Sequence, residues 1–359
     1  MRAESKIMQR MRGLARLLCG LGFALAVFST ASADVETTNR NEAIYQYSGP
    51  DRDQRLVERA KREGVVVIYT SLAPTESQPL AQVFEKKYGV RVELWRALSD
   101  KVVQRAVTEA QGKRHRVDVL ETNGPEMEMM AREKLLSPFR STYIADLPPA
   151  AIPPHRLWLP DRMNYFVVAF NTDKVKREDL PGSYEGFLDP KWQGRLGIEA
   201  TDQEWMATLI KQWGQAKGEA FFNKLAAMKP DVRKGHVLLA ELVAAGEIHV
   251  GLTVYNSNAE TLKRKGAPID WMPVEPVVAR PQGIAVAKNA PHPHAALLFV
   301  DFVLSPEGQA LFESMGRVPA SIRIKSKLND FRFILIEPAT VVDEAQRWNQ
   351  LWDRLFLQR

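Results

Sequence analysis

Residues 65–71 read Val65-Val66-Val67-Ile68-Tyr69-Thr70-Ser71, a β-branched apolar run that ends in two small hydroxyl side chains. A helical pattern follows at once over 74–87, with Leu80, Val83, Phe84 and Lys87 at i, i+3, i+4 and i+7 and Gly89 as its stop. A continuous apolar run of this kind predicts a parallel strand buried on both faces. The same unit occurs three more times. The run 117–120 ends in Thr122-Asn123-Gly124, the run 196–199 in Thr201-Asp202, and the run 248–254 in Tyr255-Asn256-Ser257-Asn258. Helical patterns also read at 51–63, 100–111, 202–213, 237–245 and 259–265, and a further strand at 90–95. Strands alternating with helices over short links predict an α/β chain of two doubly wound lobes. In open α/β sheets, ligands bind beyond the carboxyl ends of the strands, facing helix N-termini. Two of the four units lie in each half of the chain, so the lobes are expected to face each other across a hinged cleft.

The stretch 148–160 is proline-rich and interrupts this rhythm. The apolar strand 165–170 reads as the first crossing between lobes, and 277–287, with Pro281 and Gly283 inside it, as the return. The expected organisation is a leader over 1–33, a first-lobe segment over 34–168 and a second-lobe segment over 169–277. Residues 278–304 return to the first lobe, and 305–359 join the second lobe and end in a docking helix. In that last helix Trp348, Leu351, Trp352, Leu355 and Phe356 recur at i, i+3, i+4, i+7 and i+8, an apolar stripe that packs on the body.

The leader is read from a basic start (Lys6, Arg10, Arg12, Arg16), an apolar stretch over 17–28 and the small-residue site Ala31-Ser32-Ala33. It predicts export through a cleavable signal peptide and a periplasmic protein. The leader carries five of the 49 Lys+Arg and one of the 43 Asp+Glu, so the mature chain is close to charge balance. No basic stripe points to nucleic acid. Cys19, the single cysteine, leaves with the leader, which excludes thiol catalysis and thiolate metal sites in the mature chain. The sequence has no His-Glu-x-x-His, Gly-x-Ser-x-Gly, phosphate-binding lysine loop or dinucleotide glycine fingerprint. An enzyme is not expected, nor a cofactor.

Five segments carry a resemblance. They are Val67-Ile68-Tyr69-Thr70-Ser71, Val168-Ala169-Phe170-Asn171-Thr172, Gly246-Glu247-Ile248-His249-Val250-Gly251-Leu252, Gly283-Ile284-Ala285-Val286 and Phe299-Val300-Asp301-Phe302-Val303-Leu304-Ser305-Pro306-Glu307-Gly308-Gln309. In this order they resemble the extracellular solute-binding proteins of ABC importers, the group that includes the ferric-ion-binding proteins. The resemblance implies a type II periplasmic-binding-protein fold, solute trapped by hinge closure, and an inner-membrane permease as partner of a monomeric receptor. Ferric members hold metal through a histidine after the first strand, a glutamate after the third and a later tyrosine pair. Here Thr70-Ser71-Leu72-Ala73 has no histidine, Asn123 stands at the glutamate position, and Asn256-Ser257 stands at the tyrosine pair beside Tyr255. Ferric iron favours anionic oxygen ligands, so no metal set is expected. A ferric protein with a different ligand set, or a subunit presenting ligand to a sensor, are the alternatives.

The candidate ligand-binding residues are Thr70, Ser71, Asn123, Gly124, Arg162, Thr201, Asp202, Tyr255 and Asn256. Short hydroxyls and amides beside free N–H groups at helix starts attract carboxylate or phosphate. The competing explanation is that they only cap helices, because Ser, Thr, Asp and Asn are the preferred caps. Arg162 can clamp a carboxylate in bidentate fashion, and Arg280 is a second, weaker candidate for that role. Asp202, with Glu199 and Glu204, favours a cationic group instead, so the sign of the ligand charge stays open.

Overall fold

The computed structural model describes residues 41–358. The expected leader over 1–33 lies outside the described residues. Among the described residues eleven strands form one sheet: β1 Val65–Thr70, β2 Arg91–Arg96, β3 Val119–Asn123, β4 Leu159–Asn171, β5 Leu196–Glu199, β6 Asp231–Arg233, β7 Val250–Tyr255, β8 Ile269–Met272, β9 Val277–Val286, β10 Val318–Pro319 and β11 Phe333–Leu335. Their order is β2-β1-β3-β9-β4-β7-β5-β6, with β8 and β10 beside β4 and β11 beside β9. β1 runs parallel to β2 and β3, and β5 runs parallel to β6 and β7. Between these parallel groups lie β9 and β4, antiparallel to each other and to their outer neighbours.

The two central strands are long because each serves two cores. β4 is buried along all 13 of its residues and β9 along all 10. Leu159 and Ile284 join the cluster that contains Ile68, Phe84, Leu120 and Phe299. Phe166, Phe170 and Val278 join the cluster that contains Trp205, Phe222 and Leu252. Each such buried side chain contributes roughly 1.5–3 kcal/mol, so the crossing strands are anchored at both ends. This is the α/β, two-lobed architecture that the strand–helix alternation implies. β4 starts earlier than the expected 165, because Asp161 and Arg162 are buried as ion-paired strand residues and do not form a loop.

The last segment is divided. Trp348, Leu351, Trp352 and Phe356 are buried in the second cluster, as the apolar stripe implies. Helix Pro306–Ser314, expected with the second lobe, instead buries Phe312 in the first cluster. The helix Gln215–Ala227 was not read from the sequence. Its Phe221, Phe222 and Leu225 are buried in the second cluster, while Gly218 closes on Ile210, where a Cβ would approach within 2.7 Å.

Candidate functional site

The floor of the cleft follows from the pleat and the register. Alternate residues of a strand share a face. Arg162 lies opposite Gln282, and Asn164 opposite Arg280, at the middle of the β4–β9 pair. These four polar side chains therefore form one patch between the two cores, and all four line a cleft of about 490 Å³. Met163, Tyr165 and Ala279 point to the other face and pack in a separate apolar cluster.

Two of these floor residues are arginines, each compensated in place. Arg162 donates to Glu121 and, at 3.1 Å, to Asp161 Oδ2. Arg280 donates to the Tyr255 hydroxyl and, at 3.0 Å, to Asp202 Oδ1, and it touches Glu204. Burial works against the charge of both guanidinium groups, yet the facing acids hold their pKa values above the usual arginine range. The cost falls on the acids. Burial pushes the Glu204 carboxyl up to about 8 despite Arg280, and Asp161 up to about 7 despite Arg162. Arg317 is the third buried arginine that lines the cleft. Its guanidinium donates to Glu76 on helix Pro74–Tyr88 of the first lobe. It also donates to Ser257 Oγ at 2.6 Å and Asn258 Oδ1 at 2.7 Å on helix Asn256–Arg264 of the second. Burial lowers its pKa, with Glu76 opposing.

The walls are helix starts. Residues at the N-cap or in the first turn of each of Pro74–Tyr88, Ser99–Gln111, Gly124–Arg132, Gln203–Trp213, His236–Ala244 and Asn256–Arg264 line the cleft. None of these six is capped by its own N-cap side chain. The capping explanation is thus not the arrangement found. Asn123 is an N-cap by position, but its amide donates to Ser99 Oγ at 2.9 Å. Thr201 turns back to Glu199, donating through N at 2.5 Å and Oγ1 at 2.7 Å. Glu199 also accepts from Gly235 N at 2.7 Å, so it ties two helix starts together.

The expected site residues divide accordingly. Ser71, Asn123, Arg162, Thr201 and Tyr255 line the cleft. Asp202 stands behind that surface, holding Arg280. Thr70, Gly124 and Asn256 do not line it, which corrects the sequence expectation. The Thr70 hydroxyl donates to Glu121, and Asn256 donates to Leu328 O. Gly124 is a packing position, where a Cβ would meet Pro338 at 2.9 Å and Pro281 O at 3.1 Å. Sequence reading missed Glu76, Glu126, His236, Gln282 and Arg317. The available signal was a polar residue inside an apolar strand, as with Gln282, because a buried polar group needs a partner. The Gln282 amide nitrogen is fully buried and has no hydrogen-bond partner.

His236 lies flat on Tyr255, with ring centroids 3.7 Å apart, and its Nε2 is 3.2 Å from Asp202 Oδ1. Glu199, Asp202 and His236 place ligand atoms within 4.8 Å of one another. Glu199 already accepts three hydrogen bonds, and Asp202 holds a guanidinium. A fixed cation at that distance opposes a metal ion, so the group reads as an arginine-anchored network.

The chain matches the family described as bacterial extracellular solute-binding protein over residues 80–325. It belongs to that family, and it is a binding protein, not an enzyme. It is similar to the major ferric iron-binding protein of Neisseria meningitidis serogroup A, at 24% identity over 80% of this chain and 92% of that protein. It is equally similar, at 24% over 75% of this chain and 80% of the relative, to a putative 2-aminoethylphosphonate-binding periplasmic protein of Salmonella typhimurium. Among solved structures, AfuA of Actinobacillus pleuropneumoniae with fructose-6-phosphate bound superposes with a TM-score of 0.73. That match has 23% identity and covers 83% of this chain and all of that one. Its fold is the type II periplasmic-binding-protein fold.

Proposed function

We propose that this chain is a periplasmic receptor, exported by its leader, that traps a small oxyanionic organic solute and presents it to an ABC import permease. One observation carries the sign of the charge: six helix starts, none capped by its own N-cap side chain, converge on a cleft floored by buried arginines. Each helix N-terminus is worth roughly half a positive charge, and the first-turn N–H groups that no side chain satisfies need acceptors. The buried Gln282 amide adds an unused donor. The acids around the arginines balance the floor, while Glu199 takes up the Thr201 and Gly235 N–H groups. Relatives named for a phosphonate, and a structural neighbour holding a sugar phosphate, support this class of solute.

Hinge closure supplies the trapping. Arg317 already joins helices of both lobes, and Lys234 reaches Asp100 across the mouth at 3.4 Å. A solute that touches both walls stabilises the closed form by its differential affinity. Titration calorimetry with phosphate, methylphosphonate, acetate, ferric citrate and choline tests the reading. Binding of an oxyanion is expected, with no response to choline and none to ferric citrate beyond that to citrate alone. Choline or ferric binding in its place overturns it.

A further inference from the structure

The anion reading accounts for the floor and leaves the mouth unexplained. Leu98, Val237 and Leu238 line the cleft, yet are 38%, 44% and 43% exposed. They are three of the seven large apolar side chains exposed among the described residues, so apolar exposure concentrates here. Leu98 is the N-cap of helix Ser99–Gln111 in the first lobe. Leucine is among the poorest N-caps, so helix stability does not account for it. Val237 and Leu238 sit in the first turn of helix His236–Ala244 in the second lobe. The Asp100–Lys234 contact brings these two lips together, two residues after Leu98 and three before Val237. Leu72, almost fully buried in the first cluster, adds a further apolar side chain to the cleft lining. The cleft volume of about 490 Å³ is in the range of organic ligands, far above that of a bare ion.

We propose that the solute is an amphiphilic oxyanion. Its anionic group lies against the floor and helix starts, and an apolar arm of several carbons runs up between Leu98 and the Val237–Leu238 lip. The arm rests on the anion reading above, because without an anionic head nothing fixes which end faces the floor. Covering the arm with these side chains removes apolar surface from water, at about fourfold in affinity for each fully buried methylene.

Two homologous series test it by titration calorimetry: methyl-, butyl- and hexylphosphonate, and acetate, butyrate and hexanoate. The expected result is affinity that rises at least tenfold from the shortest to the longest member of one series. The rise is lost in a Leu98→Ser/Leu238→Ser double variant whose thermal midpoint matches the parent. Affinity that is flat or falls with length, while the shortest member binds, overturns the arm and leaves the anion reading standing. A length dependence undiminished in the double variant also overturns it, since the arm then lies elsewhere. No binding by any member of either series overturns both.

Discussion

His236 stacks on Tyr255 with ring centroids 3.7 Å apart and planes 23° from parallel, and Arg280 donates to the Tyr255 hydroxyl. One face of the phenol ring and its polar tip are thereby fixed. Burial raises the hydroxyl's pKa well above its usual value, with Arg280 opposing, so it stays a neutral donor. Tyr255 is also part of the second core, at 6% exposure. Truncation to alanine therefore removes packing as well as chemistry, and Tyr255→Phe is the cleaner variant. It is expected to keep the thermal midpoint within about 2 °C and to lower solute affinity about fivefold, the worth of roughly one hydrogen bond. Unchanged affinity by calorimetry removes the hydroxyl from the site.

Arg280 holds Asp202, Glu204 and Tyr255 together from the crossing strand. Arg280→Met leaves buried acids without their cation, an arrangement that costs about 3–5 kcal/mol. Urea unfolding of Arg280→Met is expected to show that loss. The Arg280→Met/Asp202→Asn/Glu204→Gln variant is expected to recover most of it. Equal stability of the single variant and the parent contradicts the network.

Among the described residues burial raises the pKa of five carboxyls: Glu204 to about 8, Asp161 to about 7, Asp301 to about 6, and Asp118 and Glu126 as well. In the unfolded chain they ionise near pH 4. Between these limits the folded protein binds more protons than the unfolded one, so stability falls as pH rises. The thermal midpoint is expected to decline from pH 5 to pH 8.5, and Glu204→Gln to flatten the upper part of the decline. A midpoint that climbs over that range contradicts the assignment.

Arg317 joins Glu76 to Ser257 and Asn258, and so joins the two lobes. The exposed Asp100–Lys234 pair contributes at most about 1 kcal/mol by comparison. Arg317→Gln is expected to enlarge the radius of gyration of the solute-free protein in small-angle scattering, while Lys234→Gln leaves it nearly unchanged. No expansion in Arg317→Gln removes it as a link between the lobes.

The lobes were legible because β1, β5 and β7 are short apolar runs, each followed by a helix with its own period. Helix Gln215–Ala227 was not, since its buried Phe221, Phe222 and Leu225 sit in a chain of otherwise mixed polarity. The strand-end rule placed Ser71, Asn123, Thr201 and Tyr255 on the cleft, but it cannot tell which of two adjacent residues turns inward. Thr70 and Asn256 failed for that reason: each side chain is bonded within the body. Arg317 and Glu76 lie 241 residues apart in the chain. No local pattern records such a pair. The floor depends on the register of β4 against β9, which puts Arg162 opposite Gln282 and Asn164 opposite Arg280. Periodicity gives the face each residue shares along its own strand, and only the paired sheet gives the partner across it.

The central claim is that the cleft holds an organic oxyanion. Native mass spectrometry of protein taken from the periplasm without refolding tests it most directly, because a closed cleft retains its solute. An organic anion is expected on the parent protein, released on denaturation and lost or greatly depleted in Arg280→Met. Recovery of bound iron or an organic cation, retained equally by Arg280→Met, would contradict the account.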